Sequence, residues 1–240
     1  MIKPSRWSTP AKHDDVGPMR TVENAMANCD FAELRREMVE QQLRRRGISD
    51  PRVLAAMAKV PREEFVPDAL QHRAYDDGAL PIGYGQTISQ PYVVAFMTEL
   101  AQLQPSDKVL EIGAGSGYAA AVLGELCREV YTLERIPELG EQARQRLERL
   151  GYRNVHTYVV DGTSGLPEHA PYSAIIVPAA AKEVPQPLLD QLAEGGKLVI
   201  PIGDREEGQR MTRYTLQAGS LASIDFGAFA FVPLIGEHSL

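Results

Sequence analysis

The chain is short of cysteine, of basic excess and of long apolar runs, and each shortage removes a class of function. Its two cysteines, Cys29 and Cys127, show no CxxC or metal-type spacing. They read as free thiols in a reducing cytoplasm, not as a disulfide framework. Five scattered histidines (His13, His72, His156, His169, His238) form no ligand pattern, so no metal is expected. A formal net charge of -7 argues against nucleic acid as a partner, because backbone binding needs excess Lys and Arg. It leaves a protein or peptide substrate open. No apolar run approaches the roughly 20 residues that span a bilayer, so no membrane association is expected. Lys3, Arg6 and Lys12 are followed by no hydrophobic segment of the kind a secretory signal carries.

What is present suits a folded protein: 240 residues, 44% hydrophobic and 24% charged, enough to bury a substantial core. Residues 1–29 are polar, turn-rich and aperiodic, which predicts a flexible tail with Met26 as an alternative start. Residues 30–240 predict a single domain. Its first part, 30–91, reads as a helical lead-in and substrate loop, and 92–240 as an α/β core.

Asp30 with Glu33 forms a capping-box pattern opening an amphipathic helix, with Phe31, Leu34, Met38 and Leu43 on one face and Gly47 at its end. Ser49-Asp50-Pro51 opens a second helix that Pro61 stops. Arg44-Arg45-Arg46 complements the dipole at a helix C-terminus and is expected to be solvated. From Asp76 to Pro91 runs a loop punctuated by glycine and proline. It carries Leu80, Ile82, Tyr84 and Ile88, more apolar surface than a linker needs, and therefore reads as functional.

A helix over 92–103 follows, and then strand and helix signals alternate. Strands are expected at 108–112, 129–134, 155–160, 173–177 and 197–202, with helices at 117–126, 137–150 and 185–192. Gly195-Gly196 reads as a break before the last of these strands. Two further β-like runs, 210–217 and 224–232, supply an antiparallel partner. Such alternation predicts a Rossmann-like α/β fold, a mainly parallel sheet with helices on both faces.

The most informative stretch is Glu111-Ile-Gly-Ala-Gly-Ser-Gly-Tyr118, a buried strand running into a glycine-rich turn that opens a helix. Gly113, Gly115 and Gly117 let backbone N–H groups approach a ligand that side chains would block. Tyr118 stands where a dinucleotide-binding turn places its last glycine or alanine, which favours S-adenosylmethionine over NAD. Glu134 ends the next strand 21 residues after Gly113 and can accept hydrogen bonds from both ribose hydroxyls. Asp161-Gly162 ends the third strand, with Asp161 a candidate acceptor for the adenine amino group and Gly162 allowing close approach of the ring.

The segment Leu80-Pro-Ile-Gly-Tyr-Gly-Gln-Thr-Ile-Ser-Gln-Pro-Tyr92 resembles the signature loop of protein-L-isoaspartate O-methyltransferases. So do Met38–Leu43, Val60–Val66, Val109–Tyr118, Ala179–Ala181, Leu189–Leu192 and Phe231–Leu234, in the family's order. The resemblance implies an S-adenosylmethionine-dependent methyltransferase fold and, as acceptor, the free α-carboxylate of an isoaspartyl residue in damaged proteins and peptides. Esterification would lead through a succinimide back towards aspartate. It maps the active-site serine onto Ser89 and cofactor contacts onto Gln86, Thr87, Ile88, Ser89, Glu111, the three glycines, Glu134, Asp161 and Gly162. A monomer is expected.

A carboxylate acceptor is already ionised near neutral pH, so Ser89 and Thr87 are expected to orient it and no general base is needed. Thr163, Leu166, Ser173 and Pro178 depart from commoner family forms, and Pro178 lacks an N–H. Alternatives are a related methyltransferase for another carboxylate, or a cofactor-binding protein without catalysis.

Overall fold

A computed structural model describes residues 30–204, 206 and 208–239. The expected flexible tail, with Cys29, His13 and Met26, lies outside the described residues. The chain enters through a helix, α1 (Phe31–Glu37), capped by Asp30, whose carboxylate accepts the Ala32 and Glu33 amides at 3.1 Å. The expected uniform helix to Gly47 is in fact three geometries in series. A π-helical stretch, Met38–Leu43, and a 3₁₀ turn, Arg44–Arg46, follow, and Gly47 ends the run at φ 98°. Met38 and Leu43, five residues apart, are both buried, as the i to i+5 closure of a π turn permits. The arginine run is engaged as well as exposed: Arg46 bonds Asp77 at 3.0 Å and stacks 3.8 Å over the Tyr92 ring.

Helix α2 (Pro51–Lys59) leads through two 3₁₀ turns to a hairpin of β1 (Leu80–Gly83) and β2 (Gln86–Ile88). This hairpin replaces the irregular loop expected there. Tyr84 and Gly85 form its tip with φ of 53° and 71°, the paired positive values that match hairpin twist. Leu80 and Ile88 face each other across it and are buried, while Thr87 faces out.

Helix α3 (Pro91–Ala101) precedes the alternating core: β3 (Lys108–Ile112), α4 (Tyr118–Gly124), β4 (Glu129–Glu134), α5 (Pro137–Arg149), β5 (Val155–Val159), β6 (Tyr172–Ile176), α6 (Gln186–Asp190), β7 (Leu192–Asp204), β8 (Gly208–Gln217) and β9 (Ser220–Phe229). The seven-stranded sheet runs β5-β4-β3-β6-β7-β8-β9. Strands β3 to β7 are parallel, and β8 and β9 extend the sheet as antiparallel partners. Successive side chains of a strand face opposite sides, so Val109 joins one core and Leu110 and Ile112 the other. Both faces are thereby covered, as parallel strands with buried residues on each side require. Gly195-Gly196 is an irregularity inside β7 and not a break before it, where an added Cβ on Gly196 would meet the Ala193 carbonyl at 2.7 Å. Among the described residues, no helix is long and apolar enough to cross a membrane.

Chain order places β4 on one side of β3 and β6 on the other. A crevice opens at such a reversal, beyond the carboxyl ends of the strands.

Candidate active site

The crevice at the ends of β3, β4 and β6 holds a cleft with an empty volume of about 1120 Å³, part of it open to solvent. Gln86, Thr87, Ile88 and Ser89 form one wall. Glu111, Gly113, Gly115, Glu134 and Gly162 line the floor, and Val232 to Ile235 close the far side. The structure thus brings together nine of the eleven residues singled out in the sequence. Gly117 and Asp161 stand just behind the lining.

The glycine turn is built as its spacing requires. Gly113, Gly115 and Gly117 have φ of 101°, 52° and 88°, all in the region other residues avoid. A Cβ on Gly113 would meet nothing within 4 Å, since that position opens into the cleft. On Gly117 it would meet Leu147 at 3.3 Å, so this glycine serves the packing of α4 against α5.

Glu134 braces the turn. Its Oε2 accepts the Gly115 amide and its Oε1 the Ile136 amide, each at 2.9 Å. Each carboxylate oxygen keeps lone-pair capacity for a further donor. Glu111 is fully buried. Its Oε2 accepts from the Thr132 hydroxyl at 2.5 Å, and its Oε1 has no partner. Burial pushes its carboxyl up to about 8, the Thr132 bond opposing this and nearby Glu134 adding to it. An orphaned buried acceptor beside an open backbone turn suits a cationic ligand group.

Asp161 is placed differently from expectation. Its Oδ1 accepts the Thr163 amide at 2.9 Å and hydroxyl at 2.7 Å, and its Oδ2 accepts the Glu237 amide at 2.7 Å. Burial raises this carboxyl, but those bonds outweigh it and hold it below the usual range. The Thr163 hydroxyl also accepts the His238 amide at 3.1 Å. Asp161 and Thr163 therefore fasten the chain segment that forms the far wall. Gly162 lines the cleft, and a Cβ there would strike Ile112 Cγ2 at 2.5 Å.

A second groove meets the first at Thr87, Ser89, Val93, Pro178 and Val232, which line both. Beyond them it is bounded by Ala79, Gln90, Gln209, Phe229 and Phe231. Reasoning from sequence missed this groove. Its aromatic lining is Phe229 and Phe231, and Phe229 is backed by a stack in which Phe96 lies 5.4 Å from it and Tyr92 5.7 Å from Phe96. Of the four departures from common family forms, only Pro178 borders it. Thr163 and Leu166 are buried behind the first cleft, and Ser173 lines a different surface depression.

Several known proteins are similar to this chain over most of its length. The family model described as protein-L-isoaspartate(D-aspartate) O-methyltransferase matches residues 33–239. A protein-L-isoaspartate O-methyltransferase of Picosynechococcus sp. is 57% identical over 204 residues, covering 85% of this chain and 91% of its own. One from Methanoculleus marisnigri is 53% identical over 203 residues, covering 85% and 92%. A solved protein-L-isoaspartate O-methyltransferase superposes with a TM-score of 0.77 at 31% identity, over 85% of this chain and 67% of that one. A Plasmodium falciparum structure of that description, in complex with S-adenosyl-L-homocysteine, gives 0.74 at 27% identity over 84% and 98%.

Proposed function

This chain belongs to the protein-L-isoaspartate O-methyltransferase family, and from that membership we propose how its two grooves divide the work. The enzyme methylates isoaspartyl residues for protein repair and depends on S-adenosylmethionine. When bound, that molecule supplies an electrophilic methyl group on a sulfonium centre.

The cleft at the strand ends takes the cofactor. Glu134 receives the ribose hydroxyls on its remaining lone pairs, and the glycine turn offers its backbone to the rest. Glu111, with an unpartnered buried oxygen, receives the positive end of the molecule. Asp161 keeps the far wall in place, and an adenine amino group would have to share its carboxylate with Thr163 and Glu237.

The second groove takes the peptide. The observation that carries this reading is that Thr87 and Ser89 border both grooves, so one wall touches donor and acceptor together. Their hydroxyls donate to the acceptor carboxylate and hold it in line. No base is required, because the acceptor is ionised at neutral pH. Such orientation is worth about 7–11 kcal/mol at most. The chain is read as acting as a monomer in the cytoplasm, and the buried Cys127, a free thiol among the described residues, is in keeping with a reducing setting.

The test uses labelled S-adenosylmethionine with matched peptides carrying isoaspartate or aspartate. Label confined to the isoaspartyl peptide is expected. Equal label in both would favour a less discriminating carboxyl methyltransferase.

A further inference from the structure

Arg62 is the largest fully buried side chain among the described residues, and no carboxylate there pairs with it. The adjacent Glu63 is committed elsewhere: it accepts from Arg35 Nη2 at 2.7 Å and from the Tyr75 hydroxyl. Arg62 instead donates through Nε to the Ala74 carbonyl at 2.7 Å and through Nη2 to the Ser89 carbonyl at 2.8 Å. Its guanidinium stacks 4.8 Å over the Tyr118 ring, and Nη1 is buried without a partner. A guanidinium does not give up its proton in a protein, so this is a permanent charge in the interior. Breaking even with such a charge demands excellent geometry, and a methionine or leucine would pack there at lower cost.

Two of its contacts lie in the walls of the site. Ser89 belongs to the wall shared by both grooves, and Tyr118 opens the helix after the glycine turn. The guanidinium is thus a rigid brace between the segment that orients the acceptor and the segment that bears the cofactor. We infer that Arg62 is a positioning residue for methyl transfer, holding the Ser89 carbonyl so that the neighbouring hydroxyl stays in register with the glycine turn. This rests on the assignment of Ser89 to the acceptor. A charged donor to a carbonyl is stronger than a neutral one, and the planar fork fixes direction as well as distance.

The experiment compares the full-length protein with Arg62→Met and Arg62→Lys. Arg62→Met is expected to lower kcat for an isoaspartyl peptide by on the order of 10²-fold, the penalty of a displaced positioning group, with little change in Kd for S-adenosylhomocysteine. Amide hydrogen exchange at Gln86–Gln90 is expected to quicken while Gly113–Gly117 keeps its protection. Arg62→Lys, with one donor centre, should recover part of the rate. The inference is overturned if kcat of Arg62→Met stays at the wild-type value. It is equally overturned if cofactor affinity falls in parallel with kcat, if exchange quickens uniformly, or if neither variant folds. Exchange is read without any acceptor, so a wild-type protein that ignored isoaspartyl peptide would refute the functional reading while the brace was still judged.

Discussion

The end of the Ile82 side chain lies 3.3 Å from the point that a β-carbon on Gly115 would occupy. The β1–β2 hairpin, proposed to orient the acceptor, therefore rests directly on the glycine turn proposed to hold the cofactor. Gly115→Val is expected to fail twice, through its φ of 52° and through this contact. Calorimetric titration with S-adenosylhomocysteine should detect no binding, and an affinity equal to wild type would remove the turn from the cofactor site.

Ser89→Ala deletes one hydroxyl and leaves the carbonyl that Arg62 grips. Losing a hydrogen bond to a charged partner costs about 1.5–3 kcal/mol, or roughly 10- to 10²-fold in turnover. S-adenosylhomocysteine affinity should hold. A variant with full kcat would strip Ser89 of its role.

Glu111 sets a pH dependence whose sign follows from its buried carboxyl. The folded protein holds the proton up to about 8, whereas the unfolded chain releases it near the ordinary value of 4.5. The folded state therefore binds the extra proton between those values, and its stability falls as pH rises through that window. Glu111→Gln, which mimics the protonated form, should flatten the decline. The melting-temperature gap between variant and wild type should widen in the variant's favour towards pH 8; a gap independent of pH would contradict the assignment.

Binding of the cationic cofactor should favour the ionised form of Glu111 and so release a proton at pH 7. Calorimetry in buffers of different ionisation enthalpy reads that release. The Gln variant should abolish it, and an undiminished release would point to another group.

Gly236→Ala tests the fastening of the far wall. Its added Cβ would lie 2.1 Å from Asp161 Oδ1 and 2.5 Å from the Thr163 hydroxyl. Relieving such a clash costs about 1–3 kcal/mol, and the segment Val232–Ile235 should loosen with it. Weaker S-adenosylhomocysteine binding is the expected result, and an unaltered Kd with unaltered melting would show that the latch is dispensable.

Much of this site was legible because backbone requirements write themselves into residue type. Gly113, Gly115 and Gly117 occupy positive φ, so their spacing announced a turn before any contact was known. Strands β3 and β4 matched their expected limits because every residue after the first in each is buried and most of those are apolar. The hairpin at Leu80–Ile88 was hidden since its turn uses Tyr84 at positive φ, where asparagine or glycine is the usual signal. Asp161 was marked as a candidate adenine acceptor by its strand-end position and by the family resemblance. Its tie to Glu237, 76 residues away, leaves no local trace. The Arg62 brace was unreadable for the same reason, for an arginine in a run of charged residues looks like surface until its burial is known.

Because Thr87 and Ser89 border both grooves, the two proposed binding regions are separated by little more than one strand edge. A synthetic molecule joining an adenosine thioether to a short acidic peptide would need only a minimal tether to occupy both. Its attachment point would be dictated by those two hydroxyl-bearing residues, which makes tether length a direct molecular ruler for the transfer distance.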